Sequence, residues 1–261
     1  MPTLGAKQHL RIPVNPSGES VHAFLTTPPD RPSPWPAVIL VHGFTSNGAE
    51  THGIFLRLMQ LLSSKGFLCI TFDFRGSGYS DGTFDDMTAS RNVIDLSAVV
   101  NYARTLVDVD ATRIGVVGQS LGGVIAMAAL HSNETASAFV LWATPAFFYN
   151  NIRRMYGEAW QTSETICLEK GLYLKRAFLE DLRTFDVRDF IAKCAKPKII
   201  MHGDQDAVVA VEDAYAIFDA AAPPKELKII PGGTHGYKNQ KSLENDLLSS
   251  TATWLEKQLI T

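Results

Sequence analysis

The sequence predicts an α/β fold with a mostly parallel, doubly wound sheet. Short apolar runs without polar alternation recur along the chain, which is typical of strands covered on both faces. Between these runs lie segments whose apolar side chains repeat at helical spacing. Strands and helices that alternate in this way favour right-handed crossovers and hence parallel strands. A chain of 261 residues can bury one large core, with or without an insertion.

The first half of the chain supplies a predicted hairpin and then alternating strands and helices. The hairpin joins residues 8–14 to residues 21–27 through the turn Asn15-Pro-Ser-Gly18. The strands that follow are expected at 37–41, 67–74 and 114–117, and the helices at 51–65, 89–105 and 124–130. A helix follows each of these strands, as parallel strands joined by crossovers require.

The alternation is interrupted once, after a predicted strand at 138–142. Residues 145–196 are aromatic and irregular, and they are too many for a simple connection between two strands. We therefore interpret residues 145–196 as a cap inserted over the crevice at the carboxyl ends of the strands, and residues 1–144 and 197–261 as the core. The pattern then resumes with strands at 198–201 and 227–230 and helices at 211–221 and 242–259.

Composition argues against several classes of function. The net charge is −3 and the basic residues are scattered, so we expect neither nucleic-acid binding nor attraction to an anionic membrane. Cys69, Cys167 and Cys194 lie far apart and form no disulfide or metal-binding motif. We expect no metal and no cofactor. The N-terminus lacks a signal-peptide pattern, so the sequence as given predicts a cytoplasmic protein, and a homodimer is compatible with it.

The main functional signal is Gly118-Gln-Ser-Leu-Gly122, between a predicted strand and a predicted helix. A serine in such a sharp turn has a strained backbone, and its hydroxyl projects over the edge of the sheet. The N–H groups that begin the helix stabilise negative charge beside this hydroxyl. Ser120 is therefore the candidate nucleophile. A phosphate loop is disfavoured, because Val124 and Ile125 stand where such a loop needs Lys and Ser or Thr.

An acid and a histidine follow later strands, in the chain order typical of a serine triad. A serine hydroxyl needs an imidazole to accept its proton, and the imidazole needs a carboxylate to set its tautomer. His235 lies in a glycine-rich loop and is the only histidine after position 202. Asp204 and Asp206 both follow the strand at 198–201, and of the two we favour Asp206 as the acid.

A turn after the strand at 37–41 supplies a candidate oxyanion hole. In parallel sheets ligands lie beyond the carboxyl ends of the strands, so this turn is expected to face the same crevice as Ser120. The backbone N–H groups of Phe44 and Leu121 are the candidate pair of donors. We interpret His42 as a residue that shapes the turn and not as the catalytic base.

Several motifs together resemble those of a known family. They are His42-Gly-Phe, Phe74-Arg-Gly-Ser-Gly-Tyr-Ser-Asp-Gly, Gly118-Gln-Ser-Leu-Gly-Gly, His202-Gly-Asp-Gln-Asp-Ala-Val-Val and Gly233-Thr-His-Gly. Over nearly the full length the chain resembles the α/β-hydrolase esterases, and within them the bacterial cinnamoyl (feruloyl) esterases. The resemblance implies the α/β-hydrolase fold with a cap, the triad Ser120, Asp206 and His235, and ester hydrolysis through an acyl-enzyme without a cofactor.

The resemblance also implies a substrate contact in the cap. The segment Gly171-Leu-Tyr-Leu-Lys-Arg176 is similar to a family segment whose tyrosine contacts the phenolic end of the ester, which assigns that contact to Tyr173. The chain departs from the family at Leu121, where cinnamoyl esterases often have glutamine. The expected substrates are hydroxycinnamate or other aromatic or short-chain esters. An acyl-thioesterase, a monoacylglycerol lipase and a small-peptide hydrolase could use the same triad, and a non-catalytic binding protein is a further alternative.

Overall fold

The strands of the protein are defined in a computed structural model, which describes residues 7–132, 136–157, 163–168 and 171–261. The strands are β1 (Lys7–Pro13), β2 (Ser20–Thr26), β3 (Trp35–Val41), β4 (Leu68–Phe72), β5 (Val109–Gln119), β6 (Ala138–Trp142), β7 (Thr165–Cys167), β8 (Tyr173–Lys175), β9 (Lys198–Gly203) and β10 (Lys225–Ile230). The first six strands together with β9 and β10 form one sheet of eight strands, in the order β1-β2-β4-β3-β5-β6-β9-β10.

The α-helices of the described residues lie mostly between these strands. They are α1 (Ile54–Ser64), α2 (Ala89–Thr105), α3 (Leu121–Ser132), α4 (Phe148–Tyr156), α5 (Arg176–Leu182), α6 (Val187–Ala192), α7 (Val211–Ala220) and α8 (Lys241–Leu259). Short 3-10 helices occur at Thr51–Gly53 and Phe84–Asp86.

The strands from β4 to β10 are parallel, whereas β2 pairs antiparallel with both β1 and β4. Every residue of β4, β6 and β9 is buried, as expected for strands covered on both faces. Side chains alternate between the faces: Val38 and Leu40 pack with α1 and α8, whereas Ile39 packs with α2 and α3. The predicted doubly wound α/β fold is therefore confirmed.

The segment between β6 and β9 contains α4, the small antiparallel sheet of β7 and β8, α5 and α6. Its contacts with the core include hydrogen bonds from Ser90 to Asp181 and an ion pair of Lys175 with Asp85 and Asp86. The helix α6 packs against α3 and α7, within the layer that covers the sheet. The division at residue 196 between cap and core stays a prediction.

A helix that crosses a membrane must be both long and apolar. Among the described residues, none of the helices is both long enough and apolar enough to cross a membrane.

Candidate active site

Ser120 occupies the sharp turn between β5 and α3. Its φ angle is 52°, in the left-handed region that residues with a side chain rarely adopt. Its N–H donates to the carbonyl of Trp142 at 2.8 Å, which ties the turn to the neighbouring strand β6. A Cβ on Gly118 would lie 2.6 Å from the Gly122 backbone, and one on Gly122 would overlap the carbonyl oxygen of Val41. The two glycines are therefore required by close backbone approach.

His235 and Asp206 form a hydrogen-bonded pair beyond the ends of β10 and β9. The distance from His235 Nδ1 to Asp206 Oδ2 is 2.7 Å. The other carboxylate oxygen of Asp206 accepts the N–H groups of Val208 and Val209, each at 2.8 Å. Asp204, in contrast, is exposed, and its carboxylate accepts the N–H of Gly232 at 2.7 Å. The structure thus brings Asp206, and not Asp204, to the histidine.

The environment of Asp206 favours its ionised form. Burial acts to raise the pKa of this carboxyl, but hydrogen bonds from His202 and His235 and the charge of His235 act in the opposite sense. The balance holds the pKa of Asp206 well below its usual range. An ionised carboxylate at this position can orient the imidazole and stabilise its positive charge during proton transfer.

The candidate oxyanion donors come from two separate elements. Leu121 is the first residue of α3, and the first N–H groups of a helix have no acceptor within it. The Phe44 N–H lies in the loop after β3, and within the described part of the chain no hydrogen bond uses it. The Leu121 side chain is fully buried in the core, so this residue can offer the site only its backbone.

His42 holds the loop that carries Phe44. The imidazole is fully buried; its Nε2 accepts the Phe74 N–H at 3.0 Å, and its Nδ1 lies 2.8 Å from the Gly43 carbonyl oxygen. Because Nε2 is an acceptor, the proton of the neutral ring is on Nδ1 and is donated to Gly43. His42 is therefore occupied by backbone contacts, in agreement with a shaping role.

A cavity of about 420 Å³ connects the candidate nucleophile to the cap. Its lining residues include Ser120 and His235 from the core and Phe148, Ile152, Tyr156, Leu168 and Leu172 from the segment between β6 and β9. The ring of Phe44 also lines it and stacks on Phe178, with 5.4 Å between centroids. The cap side of the cavity therefore offers apolar and aromatic side chains to the acyl part of a substrate.

Tyr173 is not brought to this cavity. Its side chain is 55% exposed in the short strand β8, whereas its neighbour Leu172 lines the cavity. Successive side chains of an extended segment point to opposite sides, so the register of this segment turns Tyr173 outward. In this structure Tyr173 does not line the cavity beside Ser120, and its contact with the phenolic end of an ester stays a prediction.

Two further side chains hold the histidine loop, and the sequence reasoning missed both. Gln119, next to the nucleophile, donates from Nε2 to the carbonyl of His235 at 3.0 Å. His52 Nε2 lies 2.7 Å from the carbonyl oxygen of Gly236. An amide directly after an apolar run and next to Ser120 was the available signal for Gln119. His52 offered none, because its partner is far away in the sequence.

The side chains in the described part of the chain do not indicate a metal centre. Among the residues described, no three or more His, Cys, Asp or Glu side chains are grouped so that they could hold a metal ion. The residues around Ser120 can instead supply a nucleophile, a base with its carboxylate, and two backbone donors.

The chain is similar in structure to Est1E and in sequence to a protein of Salmonella typhi. Est1E from Butyrivibrio proteoclasticus, solved with ferulic acid bound, superimposes with a TM-score of 0.86 at 27% identity, over 97% of this chain and 100% of that one. The "Uncharacterized protein YfhR" of Salmonella typhi is 28% identical over 198 residues, which are 76% of this chain and 63% of that protein. The chain therefore spans less than two thirds of the length of this curated relative.

Two further matches are to a bacterial enzyme and to a family model. The 2,6-dihydropseudooxynicotine hydrolase of Paenarthrobacter nicotinovorans is 28% identical over 189 residues, 69% of this chain and 47% of that enzyme. The model of the prolyl oligopeptidase family (Peptidase_S9) matches residues 55–260, most of the chain. The chain thus belongs to the prolyl oligopeptidase family, within the α/β-hydrolase superfamily.

Proposed function

We propose that this protein is a serine carboxylic-ester hydrolase that acts on small esters with an aromatic acyl group, such as hydroxycinnamates. The observation that carries the proposal is the placement of a hydrogen-bonded pair, Asp206 and His235, beside Ser120. The imidazole of His235 and the side chain of Ser120 line the same cavity, whose walls include aromatic side chains. The similarity to Est1E, which was solved with ferulic acid, supports an aromatic acyl group.

The proposed reaction has two halves. His235 accepts the Ser120 proton while the Ser120 oxygen attacks the ester carbonyl, and the N–H groups of Phe44 and Leu121 stabilise the oxyanion. His235 then donates the proton to the departing alcohol, which leaves an acyl-enzyme. In the second half, water loses a proton to His235 and attacks the acyl group. The acid is released and the Ser120 hydroxyl is restored.

The replacement of Ser120 by alanine tests this mechanism. We expect Ser120→Ala to fold normally and to lower kcat on the best ester by roughly 10⁴- to 10⁶-fold, because the nucleophile is lost while the remaining groups stay in place. The assay is a panel containing methyl ferulate, p-nitrophenyl acetate, a thioester and an aminoacyl p-nitroanilide. Ser249→Ala, at an exposed position of α8, is the matched control. Turnover retained by Ser120→Ala would refute the mechanism.

A second candidate is the hydrolysis of small peptides. It is favoured by the match to the prolyl oligopeptidase family, and it would use the same three side chains on an amide carbonyl. The aminoacyl p-nitroanilide in the panel separates the two, because a peptidase would hydrolyse it more efficiently than methyl ferulate. Thioesterase and monoacylglycerol lipase activities are distinguished in the same way, by the thioester and by an added monoacylglycerol.

A further inference from the structure

Glu50 is a buried acid whose carboxylate is surrounded by hydrogen-bond donors. One oxygen, Oε2, accepts the N–H of Gly43 at 2.6 Å. The other, Oε1, accepts the hydroxyl of Ser46 at 2.9 Å and both the N–H and the hydroxyl of Thr51, at 2.9 Å and 3.1 Å. The side chain therefore joins the two ends of the loop that follows β3.

The backbone of Glu50 is strained. Its φ and ψ are 58° and 178°, a region that almost only glycine adopts. A residue with a side chain persists there only when its surroundings compensate for the strain, and the hydrogen bonds of the carboxylate are such a compensation. The hydrogen bonds of the carboxylate therefore hold the backbone of Glu50 in a conformation that the loop alone would not favour.

The bond to Gly43 places this carboxylate directly behind the candidate oxyanion hole. A Cβ on Gly43 would lie 3.4 Å from the Cβ of Ser120, so this glycine is next to the nucleophile. The carbonyl of Gly43 accepts from His42 and from the N–H of Ser46. Since a peptide unit is planar, fixing that carbonyl also fixes the Phe44 N–H on its opposite side.

We propose that Glu50 is a positioning residue for the oxyanion hole: together with His42 it clamps the two peptide units of Gly43, and thereby aims the Phe44 N–H at the developing oxyanion. The inference rests on the proposed function. Glu50 touches neither substrate nor reacting atoms, and it acts through Gly43. Its effect is therefore expected in the transition state, where the oxyanion exists, and not in the binding of the planar ester.

The test is the isosteric variant Glu50→Gln. An amide replaces one acceptor oxygen with an NH₂ group, so one of the present donors faces another donor. We expect kcat to fall by about 10- to 100-fold, somewhat less than the loss of a whole oxyanion donor, while KM changes by less than about threefold. Phenylboronic acid, which forms a tetrahedral adduct with the serine, should bind more weakly by a similar factor. Inhibition by ferulate, a planar competitor, should not change.

Asp95→Asn is the matched control for the loss of a buried carboxylate. Asp95 is fully buried and also accepts a backbone N–H, from Arg75 at 2.9 Å, but it does not contact the loop of Gly43. We expect Asp95→Asn to lower the unfolding temperature and to leave kcat per folded molecule unchanged. Rates of all variants are normalised to folded protein by near-UV circular dichroism.

Ser46→Ala keeps the proposal testable if Glu50→Gln does not fold. It removes one donor to Glu50 but leaves the Gly43 bond, so we expect a smaller loss of kcat, about twofold to fivefold, with KM unchanged. Unchanged kcat in both variants would overturn the proposal. So would an equal weakening of ferulate and phenylboronic acid, or an equal kcat loss in Asp95→Asn. Failure of the proposed function looks different, because wild type would then be inactive on every ester or Ser120→Ala would remain active.

Discussion

The surroundings of Asp204 and Asp206 determine which of the two is the candidate catalytic acid. Both follow β9, so the sequence could narrow the catalytic acid to these two. In the structure Asp206 is buried and accepts from His235, Val208 and Val209, whereas the Asp204 carboxylate is exposed and caps Gly232. The choice depends on which way each side chain leaves a tight turn, and a contact with a loop almost thirty positions later determines it.

The two aspartates are predicted to respond differently to the same substitution. Asp206→Asn should lower kcat by roughly 10⁴-fold, because an amide stabilises the wrong tautomer of His235 and cannot balance the imidazolium charge. Asp204→Asn should change kcat by less than about threefold and serves as the matched control. Steady-state measurement of kcat on the best ester compares the two variants. A larger loss of kcat in Asp204→Asn than in Asp206→Asn would contradict the assignment of Asp206 as the acid.

At the scale of secondary structure elements, local patterns predicted the main strands and helices well. They failed where an element depends on a distant partner. The strand β5 starts at Val109, earlier than predicted, because Trp35 of β3 pairs with that residue across an irregularity. The strands β7 and β8 have three residues each and exist only through pairing with one another. No periodicity can be read from so few residues.

The helix α4 supplies a test of the cap as the substrate-recognition element. Phe148 is buried and lines the cavity, while its neighbour Phe147 lies at the surface under the guanidinium of Arg188, 4.5 Å from the ring centre. We expect Phe148→Ala to raise KM for methyl ferulate by about tenfold, because apolar contact with the acyl group is lost, and to affect p-nitrophenyl acetate less. Phe147→Ala is the matched control. Equal effects of the two variants would contradict the prediction.

Tyr173→Phe belongs in the same experiment. The geometry predicts no effect on either ester, because the side chain points away from the cavity. A selective loss of activity on methyl ferulate would instead show that the segment around β8 changes its position when the ester binds. Tyr173 would then make the contact with the phenolic end of the ester that the resemblance implies.

At the scale of the whole molecule, the site is assembled from loops that follow β3, β5, β9 and β10. The sheet brings these loops together: β3 lies beside β5, β9 lies beside β10, and β6 separates the two pairs. His42 lies at the centre of this assembly and links the loop after β3 to Phe74, just beyond β4. Burial lowers the pKa of His42, and the opposing effects of Glu50, Gly43 and Asp73 are smaller. The lowered pKa agrees with the neutral ring that the hydrogen bond from the Phe74 N–H to Nε2 requires.

This buried histidine predicts a pH dependence of stability. The unfolded chain binds a proton on His42 below about pH 6.5, and the folded protein resists doing so. The contribution of neutral His42 to the free energy of unfolding is thus fully present above about pH 6.5 and is lost as the pH falls towards the lowered folded pKa. Urea unfolding of wild type and His42→Gln at pH 8 and pH 5 measures it. We expect the variant to be less stable at pH 8 and the difference to narrow at pH 5. A difference independent of pH would contradict the prediction.

The sequence by itself determined the fold class and narrowed the candidate site to a serine, a lone histidine and one of two acids. These features depend on local patterns: apolar runs, helical spacing, glycines beside Ser120, and polar residues directly after strands. Only the tertiary structure decided that Asp206 meets His235, that Leu121 buries its side chain, that Glu50 contacts Gly43, and that Leu172 and not Tyr173 lines the cavity. Each of these depends on where a side chain points relative to a folded neighbour, which no local pattern specifies.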